Sequence, residues 1–314
     1  MTYKRAKYLG YCLKSLANQS VKPDEVIVIL KPSGDRSEEI LSKFNGKLNL
    51  KIFLQKGSGV IEAYSIGISN SNGDIVLFLD DDAIADRDFV ARYILLFSRY
   101  PLAGAFFGLV MKAEITGNKA FFKKELFYKE EDVISPLRRP LPMLRKYSEF
   151  FSKSALTGST IEENRDCLAK SILFSGANMG FRKTLIQDFP LYLVYGDSKV
   201  GFWFENHLAL HVVQKGYETL RVRCMSLAPI VYHITHRDSL TRRMNPMREF
   251  WVNYDRAMNF WRLKMEGFQI NFFSYLIGQI VICRRRTPFR LLALLYSLIV
   301  GPLRLKRYRL LACH

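Results

Sequence analysis

Three consecutive acids, Asp80-Asp81-Asp82, are the residues whose type and spacing most directly suggest chemistry in this sequence of 314 residues. They follow the apolar run at residues 75–79, which has the composition of a strand buried on both faces. Because ligands of open parallel sheets bind beyond the carboxyl ends of the strands, we expect the carboxylates to reach into such a crevice. A solvated acidic turn is the alternative interpretation.

Adjacent carboxylates repel one another, and a bound divalent cation relieves that repulsion. Mg²⁺ or Mn²⁺ held by one or two carboxylates keeps coordination positions open for diphosphate oxygens and neutralises charge on a departing phosphate group. The acidic run therefore predicts a site for Mg²⁺ or Mn²⁺.

The elements that must position these acids alternate between helix and strand over the first hundred residues. Apolar runs typical of buried strands lie at residues 26–30, 50–54 and 75–79, and helical spacing is found at residues 9–16 and 60–69. Strands that alternate with helices at this spacing imply parallel strands joined by right-handed crossovers. The predicted fold class is α/β, with a mostly parallel sheet flanked by helices.

Residues 117–170 interrupt this pattern, because charged residues and prolines are dense there and periodicity is weak. We interpret this segment as an acceptor-side insertion that orders over a substrate. The α/β pattern resumes at Ile172. The chain is thus predicted to contain an α/β domain at residues 1–240 and a basic, apolar helical extension at residues 241–314.

The net charge of +18 points to an anionic partner, either a nucleic acid, a phosphorylated substrate or an acidic membrane surface. Much of the surplus lies in the C-terminal region, which also holds apolar stretches at residues 270–283 and 291–303, separated by three arginines. Helices of that length are roughly 20 Å long, against roughly 30 Å of hydrocarbon, so neither is expected to span a bilayer. We predict that they lie at an anionic membrane surface, two core helices being the alternative.

The five cysteines are scattered, odd in number and never spaced as Cys-x-x-Cys: Cys12, Cys167, Cys224, Cys283 and Cys313. This pattern argues against a disulfide framework or a zinc site and fits a reducing compartment. The first twenty residues also lack the apolar core of a signal peptide. The predicted location is therefore cytoplasmic, peripheral to the cytoplasmic face of the cell membrane.

Several segments, in the same order along the chain, resemble the family-2 glycosyltransferases. These segments are the opening Thr2-Tyr3-Lys4-Arg5 with Cys12-Leu13-Lys14-Ser15-Leu16, then Glu25-Val26-Ile27-Val28, Asn72-Gly73-Asp74 with the three acids, Ser175-Gly176-Ala177-Asn178, Phe204-Glu205-Asn206 and Lys215-Gly216-Tyr217. The resemblance covers roughly residues 1–240, with the family's first strand apparently missing at the N-terminus. Correct order makes it far more specific than any single motif.

The resemblance implies a GT-A fold, a nucleotide-sugar donor and an inverting single displacement onto a hydroxyl acceptor. It implies that the donor is bound by Thr2, Tyr3, Arg5, Asp80 and Asp81. It further implies that the metal ligands are Asp80, Asp82 and His233. His236, three residues after His233, is a second candidate for a metal or diphosphate contact.

Glu205 is the candidate catalytic base, because a base must lie within hydrogen-bond reach of the acceptor hydroxyl. Its neighbours Phe202, Trp203 and Phe204 are apolar and would raise its proton affinity. An ordinary helix N-terminal glutamate is the alternative. The family's second acid at this point is replaced by Asn206, which cannot act as a base.

The basic, apolar C-terminal region favours a lipid-linked sugar as the acceptor, with a polysaccharide as the other possibility. Catalytically inactive GT-A partner proteins and nucleic-acid-binding proteins are the competing classes. A nucleic-acid partner is not expected, since the basic residues cluster beside long apolar runs rather than in an aromatic-studded groove. A nucleotidyltransferase is disfavoured by the lack of a glycine-rich phosphate loop.

Overall fold

The predicted strand runs form strands with the expected bounds in the computed structural model, which describes residues 1–57, 59–117, 119–126, 167–171, 175–236, 245–268, 272–273, 275–276 and 288–312. The strands are β1 (Val26–Leu30), β2 (Leu50–Leu54), β3 (Ile75–Leu79), β4 (Ala83–Ala85), β5 (Ala103–Phe107), β6 (Leu109–Thr116), β7 (Lys119–Leu126), β8 (Leu168–Lys170), β9 (Asn178–Arg182), β10 (Glu218–Val222) and β11 (Ile230–Ile234).

The helices fall between these strands and after the last of them. They are α1 (Ala6–Ala17), α2 (Ser37–Ser42), α3 (Val60–Asn70), α4 (Phe89–Arg99), α5 (Lys183–Ile186), α6 (Leu191–Tyr195), α7 (Phe204–Gln214), α8 (Pro246–Met265) and α9 (Pro288–Ala312). Helix α8 begins where Asn245 accepts a hydrogen bond from the amide of Arg248 and a proline occupies the first turn.

The sheets are mixed rather than mostly parallel, which corrects the expectation drawn from strand–helix alternation. Strands β1 and β2 pair parallel by themselves, a second sheet has the order β3-β9-β5-β10-β8, and a third has the order β4-β11-β6-β7. Strand β9 runs antiparallel to both β3 and β5, whereas β10 is parallel to β5 and β11 is parallel to β6. Strand β9 follows the charged segment at residues 117–170, where the strand–helix pattern had failed.

Two pairings bring the ends of distant strands to the acidic run. Strand β3 ends at Leu79, and the chain crosses through the three acids into β4, which belongs to a different sheet. Strand β11 pairs antiparallel with β4 and sets His233 opposite Ala83. On the other side, the amide of Thr2 donates to the carbonyl of Ile29, which fixes the start of the chain against β1.

The largest apolar core lies around the five-stranded sheet and helices α4 and α7. Tyr93 and Phe97 of α4, Phe106 of β5, Phe181 of β9 and Leu208 of α7 are all buried in it. Because β3 packs on this core up to its last residue, the backbone at the start of the acidic run is held rigidly.

Helix α9 corrects the expected length of the last apolar stretch. It extends over 25 residues rather than 13, which is roughly 37 Å at 1.5 Å per residue. By length and composition, its residues Pro288–Leu311 are sufficient to cross a membrane. One side of the helix is nevertheless occupied, because Ala293, Ser297 and Gly301 are buried and the Gly301 backbone lies close against the indole of Trp261 in α8.

A disulfide joins Cys167 to Cys224, and this corrects the expectation that the cysteines form no disulfide. The bond links the residue before β8 to the loop after β10, two strands that pair antiparallel. Spacing along the sequence could not indicate it, because the partners are 57 residues apart.

The predicted insertion lies largely outside the described residues, as do the stretch at residues 270–283 and the arginines at residues 284–286.

Candidate active site

The Asp82 carboxylate is the buried centre of the site, with only 2% of the residue exposed. Its Oδ2 atom accepts hydrogen bonds from Nη1 of Arg5 and, at 2.7 Å, from Nε2 of His236. Its Oδ1 atom has no hydrogen-bond partner, although Nε2 of His233 is 3.3 Å away. A buried carboxylate oxygen without a donor is costly, so this atom is in the state expected of a cation ligand.

Asp80 and His233 complete a set of three potential ligand atoms with Asp82, all within 4.8 Å of one another. Asp80 is the open member, since 38% of its side chain is exposed, while the His233 ring is buried. Burial lowers the pKa of His233, but Asp80 and Asp82 outweigh that effect and raise it overall. Two carboxylate oxygens and one imidazole nitrogen, open on one side, suit a divalent cation such as Mn²⁺ or Mg²⁺.

Arg5 and Asp81 form a second contact within the cluster. Arg5 lies immediately before α1, and its Nη1 atom is 3.3 Å from Oδ1 of Asp81. Burial raises the pKa of Asp81 to about 6, although the Arg5 charge opposes this shift. The two side chains therefore lie in contact, and the carboxyl group of Asp81 holds a proton more strongly than an ordinary aspartate does.

Thr2 and Tyr3, also expected at the donor site, differ in their surroundings. Thr2 is buried and pairs through its backbone with Ile29 and Lys31. The Tyr3 ring is exposed, with the ammonium groups of Lys4 and Lys31 at 5.4 and 5.5 Å from its centroid. The backbone of Thr2 is thus fixed beside β1 with its side chain near Asp81, whereas the Tyr3 ring presents an aromatic face flanked by two ammonium groups.

Glu205 is in the first turn of α7, two residues after Trp203, whose φ of 80° is left-handed. Burial raises the pKa of Glu205 to about 8; hydrogen bonds from the amides of Glu205 and Gly176 oppose this, and the charge of Asp80 adds to it. The candidate base is therefore close enough to the acidic cluster to be affected by the charge of Asp80. The next residue, Asn206, is buried in the protein instead.

Gly176 and Tyr64 are neighbours of Glu205 that sequence reasoning did not assign to the site. A Cβ atom at Gly176 would lie 2.4 Å from the Tyr64 hydroxyl and 3.5 Å from Oε1 of Glu205, so only glycine fits there. The Tyr64 ring in turn packs on Phe78 and Phe204 at 5.2 and 4.4 Å between centroids. The glycine in the Ser175-Gly176-Ala177-Asn178 segment was the available signal.

The model of the family described as glycosyl transferase family 2 matches residues 1–187, which is more than half of the chain. The chain belongs to glycosyl transferase family 2. The predicted GT-A fold agrees with this membership and with the solved structures that the chain resembles.

One relative is a dolichyl N-acetyl-alpha-D-glucosaminyl phosphate 3-beta-D-2,3-diacetamido-2,3-dideoxy-beta-D-glucuronosyltransferase from Methanococcus voltae. It is 23% identical over 188 residues, which cover 52% of this chain and 58% of that protein. Another is the cholesterol galactosyltransferase of Borreliella burgdorferi, 35% identical over 81 residues that cover 26% of this chain and 23% of that protein. The chain thus spans less than two thirds of the length of these relatives.

Among solved structures, residues 1–349 of Staphylococcus aureus TarS in complex with UDP-GlcNAc superpose with a TM-score of 0.52 at 16% identity. The alignment covers 90% of this chain and 69% of that one. The mannosyltransferase PcManGT of Pyrobaculum calidifontis, in complex with GDP-Man and Mn²⁺, superposes with a TM-score of 0.51 at 15% identity, covering 100% and 79%. At such identities these similarities establish the fold.

We predict that Asp80→Ala weakens Mn²⁺ binding by at least about tenfold, because it removes the exposed carboxylate of the ligand set. Electron paramagnetic resonance of free Mn²⁺ titrated with protein measures this directly. Asp24→Ala is the matched control, since Asp24 is an exposed acid just before β1. Equal affinity in both variants would place the cation elsewhere.

A second prediction concerns the stability that the folded protein loses when the buried Glu205 carboxyl group ionises. Its pKa is about 8 in the folded state against an ordinary 4.5. Proton binding therefore contributes stability that is complete below about pH 4.5 and is lost as the pH rises through about 8. Glu205→Gln, which never ionises, should unfold at higher denaturant concentration than the wild type at pH 9, with the difference shrinking toward pH 4.5.

Urea unfolding across this pH range, in the presence of a chelator, checks the prediction. Glu39→Gln is the control, because Arg36 lowers the pKa of the exposed Glu39 to about 2. Loss of this carboxylate should not raise the stability at pH 9, in contrast to the effect of Glu205→Gln. A Glu205→Gln variant no more stable than the wild type at pH 9 would refute the raised pKa.

Proposed function

We propose that this chain transfers a sugar from a nucleotide-sugar donor to a hydroxyl acceptor by a metal-assisted single displacement. The observation that carries the proposal is the set of three ligand atoms from Asp80, Asp82 and His233. Two further features support it: one oxygen of Asp82 has no hydrogen bond, and Glu205 has a raised pKa that is affected by the charge of Asp80.

In this proposal Asp80, Asp82 and His233 hold Mn²⁺ or Mg²⁺, which when bound neutralises charge on the departing diphosphate. Arg5 keeps Asp81 and Asp82 in place and holds its positive charge beside the diphosphate position. Tyr3, with Lys4 and Lys31 around its ring, offers a stacking surface for the nucleobase.

Glu205 removes the proton from the acceptor hydroxyl as that oxygen attacks the anomeric carbon. A carboxylate with a pKa of about 8 holds that proton more strongly than an ordinary glutamate, which suits a base near neutral pH. The amide of Gly176 lies against the same carboxylate and restrains its direction. Asn206 is buried and cannot act as a base, so Glu205 is the carboxylate that remains at this point of the family's motif.

The relatives guide the choice of donor and acceptor. TarS is crystallised with UDP-GlcNAc and PcManGT with GDP-Man and Mn²⁺, and the Methanococcus voltae enzyme is named for transfer to a dolichyl-phosphate-linked sugar. We infer a UDP- or GDP-sugar donor and a lipid-linked sugar or polysaccharide acceptor for this chain. The proposed site of action is a membrane surface, and the Cys167–Cys224 bond removes the cysteine argument for the cytoplasmic face.

Helix α9 supports a membrane-surface location for the acceptor. Opposite the side packed on α8, it exposes a band of large apolar side chains: Leu291, Leu292, Leu295, Ile299 and Leu303. Its last turns carry the cations Lys306, Arg307 and Arg309. An apolar band followed by cations is the pattern of a helix lying in the interface of an anionic bilayer.

The proposed transfer reaction predicts that wild-type protein releases nucleoside diphosphate from UDP-GlcNAc or GDP-Man in the presence of Mn²⁺ and a polyprenyl-phosphate-linked acceptor. Glu205→Gln should lower kcat by about 100-fold or more, since it removes the base, and leave donor affinity within about twofold. Asp82→Asn should abolish release, and Glu39→Gln should leave it unchanged.

The outcomes separate the competing assignments. Undiminished kcat in Glu205→Gln would move the base to another residue. A wild type that binds donor and metal but turns over no donor in the panel would favour an inactive partner protein.

The membrane location predicts that the double variant Ile299→Asp, Leu303→Asp binds phosphatidylglycerol vesicles at least about tenfold more weakly than the wild type, because both residues are about two thirds exposed, at 66% and 64%. Vesicle sedimentation measures the bound fraction. Leu102→Asp is the control, since Leu102 is 71% exposed at the turn before β5. Unchanged binding of the double variant would refute the assignment of this face.

A further inference from the structure

The loop at residues 196–203 joins α6 to α7 and ends two residues before Glu205. Its end is conformationally specific, since Gly201 and Trp203 have φ values of 66° and 80°. A Cβ atom at Gly201 would lie 2.1 Å from Cγ1 of Val60, so the loop passes directly against the start of α3. The position of Glu205 therefore depends on whatever holds this loop.

The Asp255 carboxylate of α8 holds the loop from the side of the C-terminal helices. Its Oδ2 atom accepts hydrogen bonds from the Ser198 hydroxyl at 2.6 Å and from the Phe202 amide at 3.0 Å. The Ser198 hydroxyl in turn accepts from the Gly201 amide at 2.7 Å. One carboxylate oxygen thus fixes both the middle and the end of the loop.

Arg262 of α8 neutralises this carboxylate within the protein. Its Nη2 atom donates to Oδ1 of Asp255 at 2.9 Å and to Oδ2 of Asp197 at 3.2 Å, and its guanidinium lies 4.2 Å from the centre of the Tyr195 ring. Both Arg262 and Asp255 are completely buried. Asp197 also pairs with Arg304 of α9 at 3.3 Å, so two acids and two arginines form a balanced group.

Stability alone is a weak reason for such a group. A buried ion pair gains little net stability, because desolvation offsets the attraction, and apolar replacements of similar volume are often as stable. Its members, however, all touch either the loop or the residue before it. The geometry therefore serves to fix one loop conformation, as a satisfied buried polar network does when it specifies a unique arrangement.

We propose that Asp255, paired with Arg262, is a positioning residue that places Glu205 for proton transfer through the loop at residues 196–203. The proposal rests on the proposed transferase function and on Glu205 as its base. The C-terminal helices are then part of the catalytic apparatus, although they contribute no side chain to the chemistry. A shift of about 1 Å in the base is enough to cost on the order of 100-fold in rate.

Ser198→Ala is the test variant, because it removes the hydroxyl that links Asp255 to Gly201 and leaves the buried Asp255–Arg262 pair intact. Asp255→Asn would instead leave Arg262 with one carboxylate fewer and could prevent folding. Ser297→Ala is the matched control: Ser297 is also buried, and its hydroxyl bonds to Leu294 within α9, away from the loop.

For Ser198→Ala we expect kcat for nucleotide release to fall at least about tenfold, donor KM and Mn²⁺ affinity to stay within about twofold, and the pH dependence of kcat to shift relative to the wild type. Hydrogen exchange of the amides at residues 201–205 should quicken in the same variant. Ser297→Ala should match the wild type in kcat, KM, Mn²⁺ affinity, pH dependence and hydrogen exchange. Its melting temperature should fall by about as much as that of Ser198→Ala.

An active wild type together with equal kcat and pH profiles in the two serine variants would overturn the positioning role and leave the proposed function standing. Absence of transfer by the wild type would overturn the proposed function, and the positioning role with it.

Discussion

The constraint on which the rest of the structure depends is the packing of three adjacent carboxylates at the junction of two sheets. Two like charges 4 Å apart repel by about 4 kcal/mol at an effective dielectric constant of 20, which is a large part of the stability of a whole domain. These acids are contacted by a guanidinium and two imidazole rings from separate elements. Arg5 arrives from the turn before α1, while His233 and His236 arrive from the end of β11. The pairing of β4 with β11 and the docking of Thr2 on β1 are therefore conditions for the site to exist.

These contacts do not satisfy every acidic group of the site, and the groups that are left unsatisfied indicate function. Asp82 uses one oxygen for Arg5 and His236 and leaves the other without a hydrogen bond. Glu205 is held in a pocket that favours its neutral form, close enough to Asp80 to be affected by its charge. Both arrangements cost stability in the free protein, and functional sites are where such costs are retained. A divalent cation and an acceptor hydroxyl are the partners that would satisfy them.

The C-terminal helices connect this site to the outer surface of the molecule. On one side α8 holds the loop before Glu205 through Asp255, and on the other it packs against α9, with Trp261 closing on the Gly301 backbone. Arg304 of α9 also reaches Asp197 within the same loop. The apolar band of α9 points away from these contacts. A membrane surface that receives this band would therefore lie against the same pair of helices that holds the loop before Glu205.

The sequence by itself determined the local elements and supplied the candidate site residues. Strands β1, β2 and β3 were predictable from apolar runs, because that signal is local. The acidic run became a candidate from its place after β3, and Glu205 and His233 became candidates from motif order. Only the tertiary structure decided the antiparallel placement of β9, the Cys167–Cys224 bond, the role of Gly176 against Glu205, and the Asp255–Arg262 group. Those features join residues far apart in the chain, and no spacing rule records which buried charges or cysteines will meet once the sheets and helices have packed.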